Sequence, residues 1–225
     1  MSTETLFLNN ELYKYMCENS IKEPEVLQQL RESTKKNTEV GHMMTSPEQV
    51  QFMTFIAKAI NAKSFLEVGT FTGYTSLAMA MSLPEDGKVT TCEKDEDWIG
   101  IGKKFWQKMC VESKIEVLIG DAKESLAKLI ENNAQTNDLG GYDIAYIDAD
   151  KRGYSKYFSL CYQLVKKGGI IMIDNVFQGG KVTDYESNNN IVEAIKKFNQ
   201  EIYNNPNVMI SMVPLGDGLT LAYKK

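Results

Sequence analysis

At 225 residues, 43% apolar and 24% charged, the chain can build one sizeable core and has an ordinary globular composition. Its formal net charge of −5 gives no general attraction to phosphate backbones or anionic lipid, which weighs against nucleic acid and membrane surfaces as partners. Cys17, Cys92, Cys110 and Cys161 are scattered and joined by a single histidine, the spacing of neither a zinc cage nor a disulfide framework.

Four reduced thiols fit a cytoplasmic protein. The first residues, MSTETLFLNNELYKYM, have no basic start and no continuous apolar run, so they do not read as a signal peptide. No segment approaches the roughly 20 apolar residues of a membrane helix.

In chain order, helical patterns are predicted at 5–19, 24–37 and 47–61, the third opened by Ser46 as cap and Pro47 in the first turn. Short apolar runs follow: SFLEVG (64–69), KVTTCE (88–93), IEVLIG (115–120), YDIAYID (142–148) and GIIMID (169–174). Helical segments separate them at Tyr74–Ser82, Asp95–Val111, Ala122–Asn132 and Tyr154–Val165. The runs carry few polar side chains, as strands buried on both faces do. This alternation predicts an α/β protein with a mainly parallel sheet between helical layers. After a helix at Ile191–Tyr203, VMISMVP and LTLAYKK flank LGDG, which reads as an antiparallel hairpin. No repeat or linker divides the chain. The expectation is one domain over 1–225, a helical extension over 1–61 on a core over 62–225.

LEVGTFTGYTS joins the first strand to the next helix. Gly69 and Gly73 permit a tight turn and the close approach of a ligand, as a nucleotide or nucleoside loop requires. Glu93 ends the second strand, where an acid can accept from both ribose hydroxyls. NAD and S-adenosylmethionine would both use these devices. A dinucleotide fingerprint, however, needs a glycine where Phe71 stands, and Glu67 places a carboxylate in the loop. That charge would repel a pyrophosphate and attract an amino-acid ammonium, which favours S-adenosylmethionine.

Asp148 and Asp174 end the fourth and fifth strands. If those strands are neighbours, the two ends lie about 4.8 Å apart. With the amide oxygen of Asn175 they offer three hard oxygen donors, suited to Mg²⁺, Ca²⁺ or another hard divalent ion. Strand-end acids also cap helices, and for either acid alone that is the simpler reading.

With these motifs in view, the chain resembles the cation-dependent class I O-methyltransferases, the caffeoyl-CoA O-methyltransferase group with catechol O-methyltransferase as a more distant relative. The resemblance runs from Leu12 to the C-terminus through LYKYMCENS, EPEVLQQLRE, TSPEQVQF, EVGTFTGY, PEDGKV, DADKRGY, KKGGIIMIDN and PLGDGLTL. It implies a Rossmann-like seven-stranded sheet whose last strand is antiparallel, and a homodimer. It implies that Asp148, Asp174 and Asn175 hold a divalent cation (Mg, Ca or Mn). Glu67, Gly69, Thr75, Glu93, Ala122, Thr45, Asp150 and Tyr157 match cofactor-contacting positions, and Thr70 in the same loop is a further expected contact. Lys151 matches the lysine that serves the catechol enzyme as general base, and Asp148 is placed with it among the catalytic residues.

Methyl transfer to a phenol needs a nucleophilic oxygen. A phenol of pKa near 10 is about one part in a thousand ionised at pH 7, a deficit of roughly 4 kcal/mol. A divalent cation can offset several kcal/mol, and Lys151 can accept the proton once it is a neutral amine. Two adjacent oxygens chelate better than one, so the expected substrate is a small hydroxylated aromatic of catechol type. Plant caffeoyl-CoA enzymes carry a basic substrate contact near the N-terminus, where this chain reads TETLFLNN. The reaction therefore transfers more securely than a CoA thioester substrate. Methylation of a hydroxylated tRNA uridine, an NAD-dependent oxidoreductase and a binding protein without a reaction are the competing readings.

Other conspicuous residues have plain explanations beside functional ones. His42 reads as a surface or packing residue, and Trp98 as helix packing or an adenine contact. Met43 and Met44 suit core, loop or methyl pocket. Lys103, Lys104 and Lys108 suit a solvated helix face. Phe177 with Gln178, Gly179 and Gly180 makes either a connector or a substrate loop.

Overall fold

The computed structural model describes residues 6, 8–136, 141–184 and 188–225. Helices α1 (Asn10–Ser20), α2 (Glu25–Asn37) and α3 (Pro47–Ala59) precede the first strand. The first begins later than predicted, and residues 3–5 and 7 of the TETLFLNN stretch lie outside the described residues. Pro47 does open α3, but Ser46 makes no side-chain cap bond and its hydroxyl is buried without a partner.

The strands are β1 (Ser64–Val68), β2 (Lys88–Glu93), β3 (Ile115–Ile119), β4 (Tyr142–Ile147), β5 (Val165–Ile173), β6 (Val208–Val213) and β7 (Leu219–Lys224). They form one sheet in the order β3-β2-β1-β4-β5-β7-β6. The first five pair parallel, while β7 runs antiparallel to both β5 and β6. The Rossmann-like sheet and the C-terminal hairpin are those expected from the sequence. Chain order reverses between β1 and β4, and at such a switch point a crevice opens beyond the strand ends.

Between the strands run α4 (Tyr74–Ser82), α5 (Glu96–Lys108), α6 (Ala122–Thr136), α7 (Tyr154–Leu164) and α8 (Asn190–Tyr203). Alternation along β1 divides the core. Phe65 packs with Met53, Leu77 and Trp106 on one face, and Leu66 with Ile147, Phe158 and Phe198 on the other. Each such side chain contributes about 1.5–3 kcal/mol by leaving water.

Among the other boundaries that differ from the sequence reading, those of α5 and β5 have clear causes. α5 is shorter, because Asp95 caps it by accepting from the Asp97 N–H at 3.0 Å and Cys110 turns the backbone to φ 55° beyond its end. β5 starts at Val165, four residues before the predicted run at Gly169, with a register shift against β4 where Gly168 takes φ 83°. Among the described residues no helix is long and apolar enough to cross a membrane.

The N-terminal helices are fastened to the turn after β1. Thr34 and Thr72 share a buried hydrogen bond of 2.8 Å, and the Tyr74 hydroxyl donates to Glu23 at 2.5 Å. Arg31 clamps the same Glu23 through two nitrogens at 2.7 and 3.1 Å.

Candidate active site

A cavity of about 1300 Å³ opens at the carboxyl ends of β1, β2, β4 and β5. Every cofactor and cation position expected from the sequence lines it: Thr45, Glu67, Gly69, Thr70, Thr75, Glu93, Ala122, Asp148, Asp150, Lys151, Tyr157, Asp174 and Asn175. His42, Met43, Met44, Trp98 and Gln178 line it too. Phe177 is instead packed beneath Gly218, where an added Cβ would meet its ring at 2.6 Å. Lys103 pairs with Glu112 at 3.4 Å and Lys108 donates to Gln29 at 2.7 Å, as residues of a solvated helix face.

The turn after β1 is shaped by close approach. Gly69 has φ 101°, and a Cβ there would lie 2.0 Å from the Asp148 carbonyl oxygen. Gly73 takes φ 73° over the Trp106 ring, whose Nε1 donates to its carbonyl at 3.2 Å. Glu93 holds the turn from the next strand. Its Oε2 accepts from the N–H groups of Thr70 and Phe71 at 3.1 and 2.6 Å, and its Oε1 from those of Lys94 and Asp95 at 2.8 and 3.0 Å. These donors meet the roughly four lone-pair sites of a carboxylate. A ribose held by Glu93 therefore competes with the turn's own N–H groups. Trp98 leans on Phe71, ring centroids 5.2 Å apart, at the cavity wall.

Glu67 differs from its expected place in the loop. It belongs to β1 and is 1% exposed, accepting from Ser76 and from the Thr91 hydroxyl at 2.7 Å. Burial pushes its carboxyl up to about 8, against the pull of those two hydroxyls. The fold thus holds the neutral acid. Its contribution to stability is complete below the unfolded value near 4.3 and is lost as pH rises through about 8. Glu67→Gln is expected to remove this loss. Calorimetric melting of the ligand-free protein should show wild type weakening between about pH 4 and 8, by on the order of a few kcal/mol, and the variant weakening less, by what the raised Asp174 carboxyl still contributes. Parallel slopes would remove the account.

The acids meet as the sequence requires. Ile147 pairs with Ile173, which sets Asp148 beside Asp174 at the strand ends. Asp174 is 3% exposed; its Oδ1 accepts from the Asn175 N–H at 2.6 Å and its Oδ2 from the Tyr146 hydroxyl at 2.6 Å. Burial, and then the Asp148 charge, raise its carboxyl above the usual range. Asn175 follows with φ 53°, a left-handed turn that brings its amide back to the pair. Lys151 Nζ donates to Asp148 Oδ1 at 3.0 Å, to Asn175 Oδ1 and to the Tyr154 hydroxyl at 2.8 Å. A positive charge therefore already sits between two of the three oxygens.

Among the described residues no group of three His, Cys, Asp or Glu has the arrangement to hold a metal, and this set reaches three only with an amide. Two carboxylates and an amide oxygen, organised about an ammonium, nevertheless fit a hard divalent cation. The cofactor side fits a polar ligand as well. Ser46 Oγ, buried and unpartnered, belongs to a lining residue, and elsewhere in the lining Asp150 accepts from Tyr157 at 2.5 Å.

Sequence reasoning missed Tyr146, Tyr154 and Gln49. Tyr146 stands two residues before Asp148 and so shares its face of β4. That spacing was the available signal. Gln49 is a polar residue in the buried stripe of α3, and only the fold shows why.

A switch-point crevice edged by strand-end acids is the binding site of an α/β enzyme built on a Rossmann-like sheet. Comparison with known proteins agrees. The sequence profile of the O-methyltransferase family matches residues 17–225. The chain is 37% identical to the catechol O-methyltransferase domain-containing protein 1 of Mus musculus, over 96% of this chain and 80% of that protein. It is also 37% identical to probable caffeoyl-CoA O-methyltransferase 1 of Dictyostelium discoideum, over 96% and 93%. Among solved structures, the O-methyltransferase from Bacillus cereus in complex with SAH superposes with a TM-score of 0.82 at 27% identity, covering 94% of this chain and 96% of that one. The chain belongs to the O-methyltransferase family.

Proposed function

We propose that the protein transfers a methyl group from S-adenosylmethionine to a hydroxyl of a catechol-type small molecule, with a divalent cation held by Asp148, Asp174 and Asn175. The observation that carries this reading is the Lys151 ammonium set between the Asp148 and Asn175 oxygens at the cavity wall. Two adjacent oxygens on an acceptor would meet the same donors. S-adenosylmethionine supplies an electrophilic methyl on sulfur, and a bound cation supplies Lewis acidity that offsets part of the cost of ionising a phenol.

The chain's own residues do the rest. Glu93, Thr70 and Gly69 receive the nucleoside, while Glu67 and Thr45 lie toward the amino-acid end. Asp150, locked by Tyr157, and Ala122 complete the adenine side. Lys151 Nζ, once it has given up its own proton, takes the acceptor's hydroxyl proton. Tyr154, which donates to the Asp174 carbonyl at 3.0 Å, keeps Lys151 aimed.

The decisive assay follows methyl transfer from labelled S-adenosylmethionine to catechols, single phenols and hydroxyuridine-containing tRNA, with and without chelator. Catechols should be methylated and chelator should stop the reaction. Full turnover in excess chelator, or preference for the tRNA, would replace this reading.

Glu93 provides a separate check. Glu93→Gln puts an amide N–H against the turn's N–H groups and weakens the acceptor for ribose. Affinity for S-adenosylmethionine, measured by calorimetry, should fall by about 1.5–3 kcal/mol. Unchanged affinity would take the ribose away from Glu93.

A further inference from the structure

We propose that Tyr146 is a positioning residue that joins the cofactor side of the cavity to the Asp174 carboxylate, so that filling either site tightens the other. The inference rests on the cation and cofactor reading above.

Tyr146 lies in β4, 1% exposed, where a phenylalanine could supply the same apolar packing. Its hydroxyl is what distinguishes it. That hydroxyl donates to Asp174 Oδ2 at 2.6 Å, accepts from Gln49 Nε2 at 3.1 Å and meets Thr45 Oγ1 at 3.1 Å. Thr75 Oγ1 in turn donates to Thr45 Oγ1 at 3.2 Å. Each hydroxyl has one proton.

An Asp174 that ligates a cation has none to give, so Tyr146 must donate to it. Thr45 must then donate to Tyr146, and Thr75 to Thr45. The bonds run one way, from the first turn of α4 to the carboxylate. Such chains strengthen cooperatively in a buried setting.

A ligand that engages Thr45 or Thr75 changes what reaches Tyr146 and how firmly Asp174 is held. A cation on Asp174 draws on the same chain from the other end. Binding linkage makes the effect reciprocal. The Asn175 N–H fixes one oxygen of Asp174, and the Tyr146 hydroxyl, with the Gln49 amide beside it, orients the other.

The test measures Mn²⁺ affinity by electron paramagnetic resonance with and without S-adenosylhomocysteine, and S-adenosylhomocysteine affinity by calorimetry with and without Mn²⁺. In wild type each should raise the other's affinity by about 5-fold or more, the lower end of usual couplings. Tyr146→Phe should reduce the factor to below about 2-fold while retaining cooperative melting. Thr45→Val should reduce it likewise and Thr45→Ser should restore it, which decides the matter if Tyr146→Phe fails to fold. A merely structural tyrosine would lower both affinities and leave their ratio intact. Wild-type coupling retained in Tyr146→Phe, or absent from a wild type that binds both ligands, overturns the inference and spares the functional reading. Failure of wild type to bind Mn²⁺ overturns both.

Discussion

Asp148→Ala should abolish methyl transfer to a catechol while leaving affinity for S-adenosylmethionine within a few-fold of wild type. The carboxylate supplies one of three proposed cation donors. The backbone at this position, whose N–H donates to the Val68 carbonyl at 2.9 Å, keeps the turn around Gly69 in place without it. The variant also removes the charge that helps raise the Asp174 carboxyl. Its ion pair with Lys151 is mostly buried, 19% exposed on each side, so the variant should also lose some stability, on the order of 1–3 kcal/mol. Turnover with and without chelator, beside calorimetry for the cofactor, separates the outcomes. Full activity of Asp148→Ala in excess chelator would dispose of the cation. Loss of cofactor binding to the same degree as activity would move Asp148 to the cofactor side.

Lys151→Ala should lower the chemical rate by about 10²–10⁴-fold, the range for a lost general base. The deficit should shrink with rising pH, because hydroxide then ionises the phenol unaided. The observed contacts add an opposite second effect. The ammonium bridges Asp148 and Asn175, so a cation has to displace it, and the variant should bind Mn²⁺ more tightly than wild type. Slower chemistry with tighter cation binding is hard to obtain from misfolding. A rate deficit constant across pH would make Lys151 a positioning group. Weaker Mn²⁺ binding would mean that the lysine supports the cation instead of competing with it.

Much of this architecture was legible because buried parallel strands leave a strong pattern. SFLEV and YDIAYI carry few polar side chains, KVTTCE buries its two threonines, and the structure pairs all three as expected. The pairing of β4 with β5 was a condition in the sequence argument for Asp148 and Asp174, and the register supplies it. Tertiary geometry decided what local pattern could not. Glu67 seemed a loop residue because it adjoins the glycines, but period-2 alternation turns it inward beneath Ser76 and Thr91. The predicted run began only at Gly169, yet Gly168 lets KKGG bend and join β5, which starts at Val165. Ser46 satisfied the composition of a cap, yet its hydroxyl is buried without a partner. Sequence spacing also could not show that the Glu93 carboxylate is already engaged by the turn it faces.

The fastening of Thr34 to Thr72 and of Glu23 to Tyr74 bears on where this chain can be cut. A protein engineer seeking a minimal catalyst would be drawn to the junction before β1, where helices give way to alternating strands. Trimming there would strip the buried hydroxyls of Thr72 and Tyr74 of their partners and uncover the apolar wall that Leu30 and Met53 now seal. The lost material would be the back support of the ligand-binding turn, and the remaining sheet would inherit its loose end.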